Sequence, residues 1–228
     1  MTERDSQDAA AARLATARGR ILAAALAHVP FDGWSEAALR HGARDAGIDR
    51  VTLARAFPRG AGEALAQWSA DGDAAMAVAI ETARAGGGGT TARIRAALGA
   101  RIDWLAPQGE ALRRALAYLA LPGHGALAAR LLARTVDEIW WQAGDRSSDF
   151  SWYTKRATLA AVWSATLLVL AGDRSEGRAV TRAFLARRLA DVGRIPKLRA
   201  RLGGLAGAAR PAARLARTLA GLARRRAA

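Results

Sequence analysis

Apolar residues return at three- and four-residue spacing through most of the chain, the pattern of helices that bury one face. Leu14, Ala17, Ile21, Ala24, Leu26 and Val29 predict a first helix over 13–29, with Pro30 at its end. Phe31, Asp32 and Gly33 make a turn. Ser35 then offers an N-cap for a short helix to Ala46 that Gly47 stops, and Asp49 caps another reaching Phe57 before Pro58. Two helices of about ten residues joined by AGID have the proportions of a helix-turn-helix. Longer helices are expected over 63–85, 90–106, 109–121, 125–142, 149–171 and 175–192, broken by Gly86 to Gly89, Pro107, Pro122 with Gly123, Gly144 and Gly172. The expected organisation is a disordered N-terminus over 1–12, a helix-turn-helix-like region over 13–60, a helical bundle over 61–193 and a tail over 194–228.

Composition agrees with an all-α fold. Ala occurs 60 times and Leu 27 times, against 27 Val, Ile and Thr together, so helix formers outweigh strand formers. The absence of Cys excludes a disulfide scaffold, a Cys-ligated metal site and a cysteine nucleophile. Three His, at 28, 41 and 124, carry no ExxH or HExxH spacing, so neither a di-iron carboxylate site nor a zincin is encoded and each reads as a surface or cap residue. Asp137 and Glu138 are adjacent on a helix, about 100° apart, and cannot share one substrate atom. The glycine run at 86–89 has no following GK[ST] and reads as a linker. These exclusions point to a protein that is not an enzyme and needs no cofactor.

Charge sharpens the organisation. Of the net +15, ten positive charges follow Asp191 with no acid among them. Leu198, Leu202, Leu205, Leu219 and Leu222 fall near one helical face, with Arg210, Arg214 and Arg217 on the other. A basic amphipathic segment of this kind seeks phosphate, on an anionic membrane surface or on a nucleic acid. Gly203, Gly204, Gly207 and Pro211 weaken it as a helix, so a partner surface would have to order it. The acidic Glu3, Asp5 and Asp8 do not suit a targeting segment, and the longest apolar stretch, Ala157 to Gly172, is short for a membrane span. The expectation is a cytoplasmic protein, peripheral on the inner face of a bacterial cytoplasmic membrane.

Seven Trp are present, and most are expected in the core. Trp163 shares an apolar face with Leu159, Thr166, Leu167 and Leu170, whereas Trp152, in DFSWYTKR, reads equally as core or as a protein contact. A bundle so rich in Ala either closes tightly or leaves an apolar cavity. Candidate cavity residues are Leu105, Leu116, Leu119, Leu132, Val136, Trp163, Leu167 and Leu170.

The segment LARAFPRGAGEAL after the two short helices resembles the N-terminal part of the TetR repressor fold. RILAAALAHVPFDGWSEAALRHGARDAGID and DEIWWQAGDRSSDFSWYTKRATLAAVWSATLLVL resemble the coenzyme Q (ubiquinone) biosynthesis accessory lipid-binding proteins, the ninth of that pathway's series. The likeness covers about 17–192 and implies a TetR-like homodimer that has given up gene regulation. It further implies an isoprenoid quinone or phospholipid ligand, presented to the di-iron demethoxyubiquinone hydroxylase. Ile139, Asp149, Trp152 and Tyr153 would match the patch that contacts the hydroxylase, and the tail would match in character a membrane-docking helix. The competing reading is a TetR-type DNA-binding regulator. Its would-be reading region, Ser35 to Arg59, carries five Arg and three acids, a weak charge for phosphate contact, so nucleic acid is the less expected partner.

Overall fold

A computed structural model of the chain describes residues 3–145 and 150–194. Among the described residues the structure is all-α, with no strand. Contacts divide the chain into one unit over Met1–Leu185 and another over Ala186–Ala228, of which 186–194 are described and helical. Ten helices follow in order: α1 (Glu3–Ala25), α2 (Val29–Asp32), α3 (Glu36–Asp45), α4 (Arg50–Ala56), α5 (Ala61–Ala85), α6 (Thr90–Leu105), α7 (Gly109–Leu119), α8 (Gly125–Gln142), α9 (Phe150–Gly172) and α10 (179–194).

The short N-terminal helices are set by their caps. Ser35 Oγ accepts from the Ala38 amide at 3.2 Å, and Asp49 Oδ1 accepts from the Thr52 amide at 2.9 Å. Gly47, at φ +65°, supplies the left-handed turn that separates α3 from α4. At Gly42, a Cβ would fall 2.5 Å from the backbone nitrogen of Ala25. Only glycine lets α3 cross α1 this closely.

Two boundaries depart from the sequence expectation. Residues 1–12 were expected to be disordered, yet α1 is helical from Glu3. The run Ala9 to Ala12 carries enough intrinsic helix propensity to extend the helix without an apolar face to bury. At its other end α1 stops at Ala25, and Pro30 opens α2 rather than ending the first helix, in the first turn where a missing N–H costs least.

The long helices build the rest of the Met1–Leu185 unit. α5 and α6 pack along one another, α8 lies against α5 and α9, and α7 against α9 and α2. Ile21, Leu65, Met76, Ile80, Leu98, Ile102 and Ile139 are among the fully buried side chains. Trp34, Trp68 and Trp104 form a chain of indoles with successive centroids 5.2 Å apart. Trp34 Nε1 donates to the Ala111 carbonyl at 3.1 Å, and Trp68 Nε1 to Gln108 Oε1 at 2.7 Å. These two indole N–H groups thus find acceptors, tying the α2–α3 connection to α7 and α5 to the approach to α7.

The α9–α10 corner is built on Asp173, which is buried. Its carboxylate accepts from the amides of Ser175 and Thr181, both at 2.8 Å, and from their hydroxyls, both at 2.6 Å. Burial alone would raise its pKa, but these bonds outweigh that and hold the carboxyl well below the ordinary carboxylate range. α10 was expected to begin at Ser175; instead Glu176–Arg178 form a 3-10 turn, with Gly177 and Arg178 at positive φ, before the helix starts at 179.

Candidate ligand cavity and surface groove

The apolar faces of α5 to α9 do not close completely. They leave a cavity of about 370 Å³, within the size range of small-molecule sites. α5 supplies Leu65, Trp68 and Ser69; α6 supplies Arg101 and Leu105; α7 supplies Leu112, Ala115, Leu116 and Leu119. α8 contributes Ala128, Ala129, Leu131, Leu132 and Thr135, and α9 contributes Trp163, Ser164, Leu167 and Leu168. Leu105, Leu112 and Trp163 are buried, while Leu168 is 66% exposed and marks the mouth.

Six of the eight candidate cavity residues meet here: Leu105, Leu116, Leu119, Leu132, Trp163 and Leu167. Val136 and Leu170 do not. Both are buried in the core outside the lining. Val136 follows Leu132 by four positions and Leu170 follows Leu167 by three, so each lies about a turn past the lining on its own helix.

Arg101 is a charged lining residue that periodicity did not single out. Its guanidinium is 4% exposed, and Nη2 donates to Ser69 Oγ at 3.3 Å and lies 3.6 Å from Asp73 Oδ1. Asp73 is buried too, accepting from Arg134 at 3.0 Å and from the Thr135 hydroxyl at 2.8 Å. Burial brings the Arg101 pKa down to about 10, against the opposing pull of Asp73, so it remains charged near neutrality.

A second concavity lies on the outer face of α8 and the start of α9. Arg130, Ala133, Arg134, Asp137, Glu138, Trp141, Trp152 and Arg156 line it. The Arg156 guanidinium stacks 3.9 Å from the Trp152 ring centroid and donates to Asp137 at 2.6 Å. Arg156 also pairs with Asp145 at 3.4 Å, and Lys155 donates to Asp145 at 2.8 Å. The AGD turn makes this possible: Gly144, at φ +87°, ends α8 while the Asp145 amide donates to the Trp140 carbonyl at 3.0 Å. Asp137 and Asp145, paired with Lys155 and Arg156, therefore tie α8 and its C-terminal turn to α9 by charge.

Of the expected partner patch, Tyr153 is 66% exposed and Trp152 half-buried, their rings 4.8 Å apart. Ile139 is corrected: it is fully buried and cannot touch a partner, because it sits on the inward face of α8. Asp149 lies outside the described residues, as do Leu198, Leu202, Leu205, Arg210, Arg214, Arg217, Leu219 and Leu222. Trp141, 75% exposed, was missed because most Trp were assigned to the core. Its place beside the half-buried Trp140, one position and about 100° away, was the available signal.

Among the described residues one group has metal-ligand geometry, His28, Asp32 and His41, with one ligand atom each within 4.8 Å of the others. His41 Nδ1 lies 3.0 Å from Asp32, and His28 Nε2 2.6 Å from Asp45. The spacing search for ExxH and HExxH did not anticipate this group, which the turn between α1 and α3 brings together.

A family model described as COQ9 matches residues 125–196, the stretch that holds α8, the AGD turn and α9. The chain is 32% identical over 80% of its length to the "Ubiquinone biosynthesis protein COQ9, mitochondrial" of Drosophila melanogaster, and 34% identical over 75% to that of Homo sapiens. It spans 57% and 56% of those relatives' own lengths. In three dimensions it is similar to the crystal structure of a TetR transcriptional regulator from Nitrosomonas europaea. That likeness has a TM-score of 0.63 at 23% identity and covers 76% of this chain and 95% of that one. At that identity it speaks for the fold and not for the activity. On the family match over 125–196, the shared sequence and the TetR-like order of helices, the chain is similar to the COQ9 proteins.

Proposed function

We propose that the chain is a non-catalytic lipid-binding protein of ubiquinone biosynthesis. It holds an isoprenoid quinone intermediate, or a phospholipid, in the α5–α9 cavity and presents it at a membrane to the di-iron demethoxyubiquinone hydroxylase. The relatives' names support the pathway. The cavity is the observation that carries the reading, since its walls are apolar except near Arg101 and its mouth opens beside Leu168. An isoprenoid chain gains free energy at about 25 cal/mol per Å² of apolar surface removed from water, which such walls supply.

The remaining parts of the reading follow from that cargo. No helix among the described residues is long and apolar enough to cross a membrane, so access to a bilayer-dissolved substrate is assigned to the ten basic residues and the leucines after Asp191. Near an anionic surface each basic residue contributes about 1 kcal/mol. The groove with Trp141, Trp152, Tyr153 and Arg156 has the aromatic and arginine content of a protein contact and is assigned to the hydroxylase. A homodimer, peripheral on the inner face of a bacterial cytoplasmic membrane, completes the proposal.

The competing role, DNA reading by α4, has the TetR-like fold in its favour. Against it stands the α4 N-terminus, where the Asp49 carboxylate is kept ionised by the Thr52 amide and hydroxyl, its pKa lowered. A fixed negative charge occupies the helix end that would meet a phosphate.

The test is photo-cross-linking with a prenylated quinone carrying a photoreactive tail. Saturable labelling of α7, α8 and α9 peptides around Leu116, Leu132 and Leu167 is expected. Absence of saturable labelling, or labelling confined to α3 and α4, would overturn the reading.

A further inference from the structure

Apart from Ser164, the polar side chains of the cavity gather at one inner corner, and that corner is electrostatically unfinished. Ser69, Arg101 and Thr135 line it, from three different helices. The Thr135 hydroxyl is committed to Asp73, and Ser69 Oγ accepts from Arg101. Arg101 itself is 4% exposed, yet its Nε and Nη1 have no acceptor among the described residues. A buried guanidinium with two nitrogens unpaired is costly, and such a group calls for a partner that completes it.

The placement of this side chain is built in. A Cβ at Gly72 would fall 1.3 Å from Nη1, so the guanidinium rests directly on the α5 backbone where only glycine leaves room. Trp104 packs against it as well, its ring centroid 5.0 Å from Cζ. Charge is out of balance as well. Arg101 and Arg134 share the single carboxylate of Asp73, at 3.6 and 3.0 Å, and Asp71 adds only the weakest of the attractions on Arg101. The cluster of Arg101, Arg134 and Asp73 therefore carries one positive charge more than it neutralises, at the end of a greasy cavity.

We propose that Arg101 is a head-group anchor, and that the cavity takes amphiphiles whose carboxylate meets the Arg101 guanidinium while the hydrocarbon tail runs along Leu105 and Leu116 toward Leu168. This deepens the proposed function and rests on its lipid cavity. A carboxylate fits better than a neutral head because it supplies acceptor oxygens and cancels the excess charge at once.

Binding of the full chain to two matched pairs tests the anchor: a straight-chain fatty acid and its methyl ester, and a prenyl-tailed acid and its methyl ester. The acids should bind about 10- to 100-fold more tightly than their esters, the range a charge-assisted hydrogen bond commands. Arg101→Gln should erase that preference, and Arg101→Lys should restore part of it. The comparison of the two pairs decides whether the tail source is fatty or isoprenoid. The acid–ester comparison on the unaltered protein needs no variant, so the anchor stays testable if Arg101→Gln does not fold. Equal binding of acid and ester overturns the anchor and leaves the cavity reading standing. Failure of every probe to bind overturns the cavity reading itself.

Discussion

Replacing Asp73 by Ala tests how the polar corner is held together. Asp73 is 6% exposed and receives the Thr135 hydroxyl at 2.8 Å, Arg134 at 3.0 Å and the Arg101 ion pair at 3.6 Å. Its removal leaves Arg101 buried with Ser69 as its remaining partner, an uncompensated charge of the kind that costs about 3–5 kcal/mol. For a unit of this size the loss corresponds to a fall in Tm of about 6–20 °C. Arg101→Met should cost less, because Asp73 keeps its bonds to Arg134 and Thr135. In the double variant no buried charge is stranded, so it should be more stable than Asp73→Ala alone, with a coupling of at least about 1 kcal/mol. Urea unfolding followed by helical circular dichroism, on the wild type and the three variants, measures each term. Additive costs, or Arg101→Met proving the more damaging single change, would refute this account of the corner.

Three further outcomes are expected. Asp173 has a folded pKa below its unfolded value, so its stabilisation is present at neutral pH and is lost as pH falls below about 4. Asp173→Asn should lower stability at neutral pH and flatten that acid limb in a pH series of thermal melts; parallel limbs would contradict it. Trp152→Lys removes the ring that Arg156 stacks on and should abolish hydroxylase binding with an unchanged circular dichroism spectrum, whereas loss of fold would return Trp152 to the core. Deleting residues 195–228 should abolish co-sedimentation with anionic vesicles, and unchanged pelleting would remove the membrane role from the tail.

Much of the fold was legible because local signals and burial agree. Ser35 and Asp49 cap where their side chains imply, Gly47 turns where glycine is needed, and α8 runs from Gly125 to Gln142 as its periodicity predicts. Trp163 lies buried with Leu159, Thr166 and Leu170, the apolar face read along α9. What failed was information that periodicity does not hold. Ile139 and Trp141 sit two positions apart on α8, and one is fully buried while the other is 75% exposed, which only the packing of α8 decides. Asp173 and Arg101 are charged residues inside the protein, where a charge is ordinarily read as surface. Asp173 follows the break at Gly172 and carries no pattern of its own, yet its four bonds set the start of α10. Arg101 looked like one more arginine among 33, and its meaning depends on Gly72 and Asp73 a helix away.

The central claim is that the α5–α9 cavity carries an isoprenoid cargo. Native mass spectrometry of the full chain, purified without detergent, followed by release and fragmentation of whatever is bound, addresses it most directly. The account predicts a bound species whose fragments carry isoprene units, displaced by an added prenylated quinone. A ligand-free chain that takes up no added prenylated quinone would contradict it.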